Sequence, residues 1–94
     1  MLFEWDDNKN IKNKKKHKIS FEVAKLVFED PLAYSKPDEF VQDEERYNTL
    51  GMVGNVVLFV VHTYRFQAGK EVIRLISARK ATSYERRLYE ESGQ

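Results

Sequence analysis

The chain has 94 residues, of which 41% are hydrophobic and 33% charged, with a formal net charge of +1 and no cysteine. A chain this long buries roughly 60–65% of its unfolded surface, which supports one modest core and excludes a second domain, so residues 1–94 read as one unit. The lack of cysteine excludes disulfides and thiolate chemistry; the longest apolar run, Val56 to Val61, is too short for a membrane span; and the opening MLFEWDD has no basic-then-apolar leader, so the expectation is a cytoplasmic protein without a membrane partner.

Taken in order, Leu2 to Trp5 reads as a first strand. Asp6 or Asp7 then caps a helix over Asn8 to His17. Its only aliphatic residue is Ile11, so it is expected to dock through Ile11 and a few lysine stems while most of its surface stays polar. Ser20 caps a second helix whose Phe21, Val23, Ala24, Val27 and Phe28 form an apolar stripe, and Asp30-Pro31 ends it. Leu32 to Asp43 reads as an exposed connection with a short extended piece at Ala33 to Ser35.

A strand is expected over Glu45 to Met52, a two-glycine turn at Gly51 to Asn55, and a central strand over Asn55 to Arg65, apolar on both faces through Val61. Phe66 to Lys70 turns into a third strand, Val72 to Ser77, followed by a helix over Ala81 to Glu91. The expected architecture is α+β: an antiparallel sheet of three strands, or four with Leu2 to Trp5, two N-terminal helices and one C-terminal helix.

The small net charge hides segregated charges. Six lysines fall between Lys9 and Lys18 with His17 among them; five acidic residues fall between Asp38 and Glu45; and Arg74, Arg79, Lys80, Arg86 and Arg87 form a second basic group. Arg79 and Lys80 lie where a strand feeds a helix, so they are expected at the rim of a sheet beside backbone N–H groups that favour an anion. Strand alternation puts His62 and Tyr64 on one face and Thr63 and Arg65 on the other; on the next strand it groups Arg74 with Val72 and Ile76, and Ser77 and Arg79 with Ile73 and Leu75.

A metal-free ribonuclease needs a base for the 2′-hydroxyl, a cation facing the phosphate and an acid for the departing oxygen. The pieces available are Lys16, His17, His62, Arg65, Arg79, Lys80, Tyr84 and Glu85. Each has a plainer reading. His62 suits a hydrogen-bonded structural histidine, and His17 a cation at a helix C-terminus. Arg65 and Arg74 suit surface ion pairs with Glu44, Glu45 or Glu71, and the Lys9 to Lys18 run suits a solvated helix face. Tyr84, Leu88, Tyr89 and Trp5 suit the core. No glycine-rich phosphate loop is present, and two histidines 45 positions apart do not have metal-ligand spacing.

Trp5-Asp6, then Lys9, Asn13, Lys16 and His17, then Ile19 to Phe21, Asp30-Pro31, Glu45-Arg46, and finally ISARKAT at Ile76 to Thr82 with Glu85-Arg86 and Tyr89, resemble the BrnT family of type II toxins over about 75 residues. Lys18 stands where the family pattern has glycine. The resemblance implies a RelE-like fold, ribonuclease activity that arrests translation, and a BrnA-like antitoxin that neutralises the toxin in a 2:2 heterotetramer and supplies all DNA binding; together with the residues above, the expectation is a metal-independent endoribonuclease with no cofactor. On this reading Lys16, His17, His62, Arg65, Arg79, Lys80 and Glu85 are the candidate catalytic residues, and Lys9, Lys12, Arg74 and Arg86 the candidate RNA-binding residues. The rival reading is a non-catalytic subunit whose basic faces hold nucleic acid or an acidic protein.

Overall fold

A computed structural model describes residues 1–38 and 45–92. Along the chain come β1 (Leu2–Glu4), α1 (Asp7–His17), α2 (Phe21–Ala24) running into a 3₁₀ turn (Lys25–Glu29), β2 (Tyr34–Pro37), β3 (Arg46–Val53), β4 (Val56–Gln67), β5 (Lys70–Lys80) and α3 (Ser83–Ser92). The fold is α+β, and the strands form one five-stranded sheet in the order β1-β5-β4-β3-β2. The sheet is mixed rather than antiparallel, because β1 pairs parallel with β5 through Leu2 opposite Val72 and Glu4 opposite Arg74. Three residues carry no periodicity that could reveal this pairing. β2 pairs along Tyr34 to Pro37 with Leu50 to Tyr47, a longer edge strand than the extended piece expected there. Residues 39–44, with Glu39, Asp43 and the ion-pair candidate Glu44, lie outside the described residues.

Local signals set the element ends. Asp6 accepts a hydrogen bond from Lys9 N (3.1 Å) and opens α1; the Ser20 hydroxyl accepts from Val23 N (3.2 Å) and opens α2. After Ala24 the chain tightens to three residues per turn, which lines Ala24 up with Val27 and leaves Val23 43% exposed rather than in the expected stripe. Gly51 is not a turn residue. It lies inside β3, where a Cβ would stand 2.7 Å from the Val27 Cβ, so only glycine lets the 3₁₀ turn approach the sheet this closely. The turn is confined to Gly54 and Asn55.

Helices α1 and α2 cover one sheet face. Ile19, Phe21, Ala24 and Val27 pack there against Leu58, Val60, Ile73, Leu75 and Ala78, with Phe3 and Trp5 partly buried alongside. On the opposite face α3 places Leu88 and Tyr89 against Leu50, Val57 and Phe59, while Tyr84 is 67% exposed and not part of the core. Asp30 joins these layers. Its carboxylate accepts from Leu32 N (2.9 Å), Met52 N (2.8 Å) and the Tyr89 hydroxyl (2.5 Å). Burial resists ionisation of Asp30, but these donors outweigh it and hold the carboxyl below its usual range. Burial, reinforced by Asp30, pushes the Tyr89 hydroxyl up to about 12.

Candidate functional site

A bulge in β5 decides what faces where. Val61 pairs with Ser77 and His62 with Leu75, leaving Ile76 as an extra residue. Ile73, Leu75 and Ala78 therefore all enter the helix-side core, and Ser77 and Arg79 turn to the opposite face across from Val61 and Phe59. This corrects the expectation that Ser77 and Arg79 share a face with Ile73 and Leu75.

The strand also continues to Lys80, so Arg79 and Lys80 alternate onto opposite faces and do not form an adjacent pair. The Arg79 guanidinium lies 4.1 Å from the centre of the Phe59 ring and donates through Nη1 to Glu85 Oε1 (2.7 Å) and through Nη2 to Oε2 (2.9 Å), with a further bond from Nη1 to the Lys80 carbonyl (3.2 Å). Glu85 in turn accepts from Thr82 N (2.9 Å), while its own N–H donates to the Thr82 hydroxyl (3.1 Å). This is a capping box. The anion at the start of α3 is thus the protein's own carboxylate. The Arg79 hydrogen bond holds Glu85 below its usual range against opposing burial, and Glu85 raises Arg79 in return. Arg79 retains Nε–H and one Nη2–H for another acceptor.

The remaining sheet arginines are engaged as well. Arg65 donates from Nη2 to Glu4 Oε2 (2.9 Å) and pairs through Nε with Oε1, and Arg74 Nη1 lies 3.7 Å from the same Oε1. Glu4 therefore takes the place of the partners expected from Glu45 or Glu71. These half-exposed pairs are worth about 1 kcal/mol or less each. Arg86 is exposed on α3.

His62 is sealed. It is 0% exposed, within hydrogen-bond reach of the Thr49 hydroxyl through Nε2 (2.6 Å), and enclosed by Phe28, Tyr47 and Tyr64 at ring separations of 4.8, 6.1 and 5.1 Å. Thr49 bonds onward to the Ser35 hydroxyl (2.6 Å). Burial lowers the imidazole from 6.5 to about 4, so it is neutral and has no face open to a substrate. The unfolded chain protonates this residue near pH 6.5 and the folded chain only near 4, so below 6.5 the unfolded state binds more protons. Stability is therefore unaffected by this group above pH 6.5 and falls as pH drops toward 4, by about 3 kcal/mol in all and about 2 kcal/mol by pH 5. Urea midpoints at pH 7.5 and 5 measure it. Wild type should lose stability between them and His62→Leu should not; equal wild-type stability at both would contradict the assignment.

Helix α1 is anchored by amides, not by Ile11, which is 55% exposed. Asn13 is buried; its Nδ2 donates to the carbonyls of Ile19 and Ala78 (both 2.8 Å), and its Oδ1 accepts from Ala78 N (3.1 Å). Asn10 accepts from Phe21 N (2.8 Å) and donates to Glu22 (2.8 Å). Asn13 thus bonds both backbone groups of Ala78 on the outer edge of β5, beyond the end of β1. The stripe that flanks it, Lys9, Lys12, Lys16 and His17, lines a groove of about 300 Å³ closed by Ile76 and Ser77. Among the described residues none of these four cationic side chains has a carboxylate within 4 Å. Sequence reasoning named the four but missed Asn13 as the anchor. The spacing i, i+3, i+4, i+7, i+8 from Lys9 to His17 was the available sign that this stripe faces the sheet.

The structure therefore brings Lys9, Lys12, Lys16 and His17 together at the β5 edge. It leaves Arg79 with Glu85, Arg65 and Arg74 with Glu4, and His62 in the interior. A small α+β domain with an uncompensated cationic groove beside a sheet edge has the architecture of a polyanion-binding protein. The family model of the ribonuclease toxin BrnT of type II toxin–antitoxin systems matches residues 5–85, and the chain belongs to that family. Such a toxin has an antitoxin as its partner. No curated protein matches the chain. No described helix is long and apolar enough to cross a membrane.

Proposed function

We propose that the chain is a metal-independent endoribonuclease with a fold of the RelE type, acting in the cytoplasm to arrest translation, and that its reacting groups lie in the α1–β5 groove. In this reading Lys16 faces the scissile phosphate and His17 takes the proton of the 2′-hydroxyl. The 2′-oxygen attacks phosphorus, the bond from phosphorus to the 5′-oxygen breaks, and that oxygen takes a proton from a neighbouring ammonium or from water. The products are a 2′,3′-cyclic phosphate and a 5′-hydroxyl. Arg79, positioned by Glu85 over Phe59, offers its two remaining N–H groups to a neighbouring phosphate, and Lys80, Arg65, Arg74 and Arg86 have supporting roles at most. A BrnA-like antitoxin neutralises the chain in a 2:2 heterotetramer and carries the DNA-binding function.

The observation that carries this reading is that, of the two histidines, His17 alone reaches solvent, and it does so among uncompensated lysines. A positioned proton-transfer group contributes roughly 10²- to 10⁴-fold and a preorganised donor facing developing charge roughly 10²- to 10³-fold, so the groove is equipped for the reaction. The test is incubation of purified chain with RNA in the presence of EDTA and analysis of the new ends. Cyclic phosphate with 5′-hydroxyl ends supports the proposal. RNA that is bound but uncut over hours favours a non-catalytic binding subunit.

A further inference from the structure

The cationic stripe extends well beyond the two residues needed for chemistry. Lys9, Lys12 and Lys16 recur at i, i+3 and i+7 on the side of α1 that borders β5, spanning about 10 Å of helix axis, the run of two internucleotide steps of a single strand. Like charges at these spacings repel and destabilise a helix; no described carboxylate lies within 4 Å of them, and Asp6 acts on Lys9 alone from longer range. Elsewhere Arg65, Arg74 and Arg79 each face an acidic partner from their own chain. What sets the Lys9, Lys12 and Lys16 stripe apart is that Asn13 holds it against a sheet edge, where the groove can take an external polyanion. The outer-face cations Lys14, Lys15 and Lys18 likewise have no carboxylate within 4 Å, but they surround the exposed Ile11 and none of them lines the groove with Ile76 and Ser77.

We propose that α1 is a phosphate track for single-stranded RNA, with Lys9 and Lys12 each holding a backbone phosphate on one side of the phosphate bound at Lys16 and His17. This rests on the ribonuclease reading for its substrate, and it adds a substrate of defined polarity that must extend at least two nucleotides to one side of the cleaved bond. The flanking contacts are made equally in ground and transition states, so they set affinity and not the chemical rate. Each single-strand phosphate contact changes the slope of log K against log salt by about 0.7.

The test uses a fluorescent 2′-O-methyl octanucleotide, which cannot undergo 2′-attack, with anisotropy titrations from 50 to 300 mM potassium chloride. Lys9→Ala/Lys12→Ala should lower the salt slope by about 1.4 and weaken binding severalfold at low salt. Lys14→Ala/Lys15→Ala on the outer face should leave the slope within a few tenths of wild type. Single-turnover cleavage of the matching RNA at saturating concentration should stay within about threefold of wild type in the Lys14/Lys15 variant. An unchanged slope in the Lys9/Lys12 variant, or an equal fall in both variants, overturns the track while leaving cleavage intact. Loss of cleavage in wild type with normal binding and slopes would instead remove the ribonuclease reading and keep the track. Wild type that does not bind RNA but binds a polyglutamate peptide would overturn the track in favour of an acidic protein partner.

Discussion

Replacing His17 by alanine should lower the single-turnover rate of RNA cleavage by roughly 10²- to 10⁴-fold, the usual contribution of a positioned proton-transfer group. The loss should appear in the rate at saturating RNA with little change in binding, because the imidazole acts on the proton in flight and not on the resting complex. His17 lies at the last turn of α1 and is only partly buried, so the variant should fold. His62 supplies the contrast. Its substitution removes a packed, hydrogen-bonded core group, so His62→Gln should lower stability while leaving the rate per folded molecule within a few-fold of wild type. A His17→Ala enzyme that cuts RNA at the wild-type rate would remove the groove from consideration as the reacting centre.

Asn13→Ala should cost about 2–4 kcal/mol of stability. It deletes three hydrogen bonds and leaves the Ala78 N–H and the carbonyls of Ile19 and Ala78 without their partner in a buried place, each at about 1 kcal/mol or more. For a domain of this size that is a fall in melting temperature of roughly 10–25 °C. Asn13→Asp keeps the bond from Ala78 N but sets a carboxylate oxygen against the carbonyls of Ile19 and Ala78 in a buried place, so it should cost at least as much as alanine. Since α1 meets β5 chiefly through this amide, the folded fraction of either variant should also lose activity beyond its loss of stability, as Lys16 and His17 drift from Ser77. Calorimetry together with cleavage per folded molecule separates the two effects. A melting temperature within two or three degrees of wild type would show that α1 is held by something other than Asn13.

The parts of this fold that were legible in the sequence are those fixed by neighbours along the chain. Asp6 and Ser20 announce helix starts by cap chemistry, Asp30-Pro31 announces a stop, and the run Val56 to Val61 announces a strand buried on both faces. What the sequence hid depends on contacts between distant segments. The extra residue at Ile76 breaks strict alternation, and a period-2 reading carries Ser77 and Arg79 to the wrong face. The parallel partner of β5 is only three residues long. Glu4 as the partner of Arg65 and Arg74 depends on how β1 comes to lie beside β5, whereas Glu85 lies close enough along the chain to be read as able to hold Arg79 or Lys80. His62 looked like a candidate because histidine titrates near neutrality, yet the same alternation that places it beside Val60 sends it into the helix-side core, where burial keeps it neutral. The groove itself was half visible. Its cations were plain, but the polar anchor among them was not, because an asparagine in a lysine-rich helix reads as surface until the edge of β5 is seen to lack a neighbour there.

The account is tested most directly by the imidazole nitrogens of the two histidines, followed by long-range proton–nitrogen NMR while the uncleavable octanucleotide is titrated at pH 7. The account predicts that the His17 nitrogens shift progressively to saturation and that those of His62, neutral and enclosed, stay in place. Movement of the His62 signals with no change at His17 would contradict it.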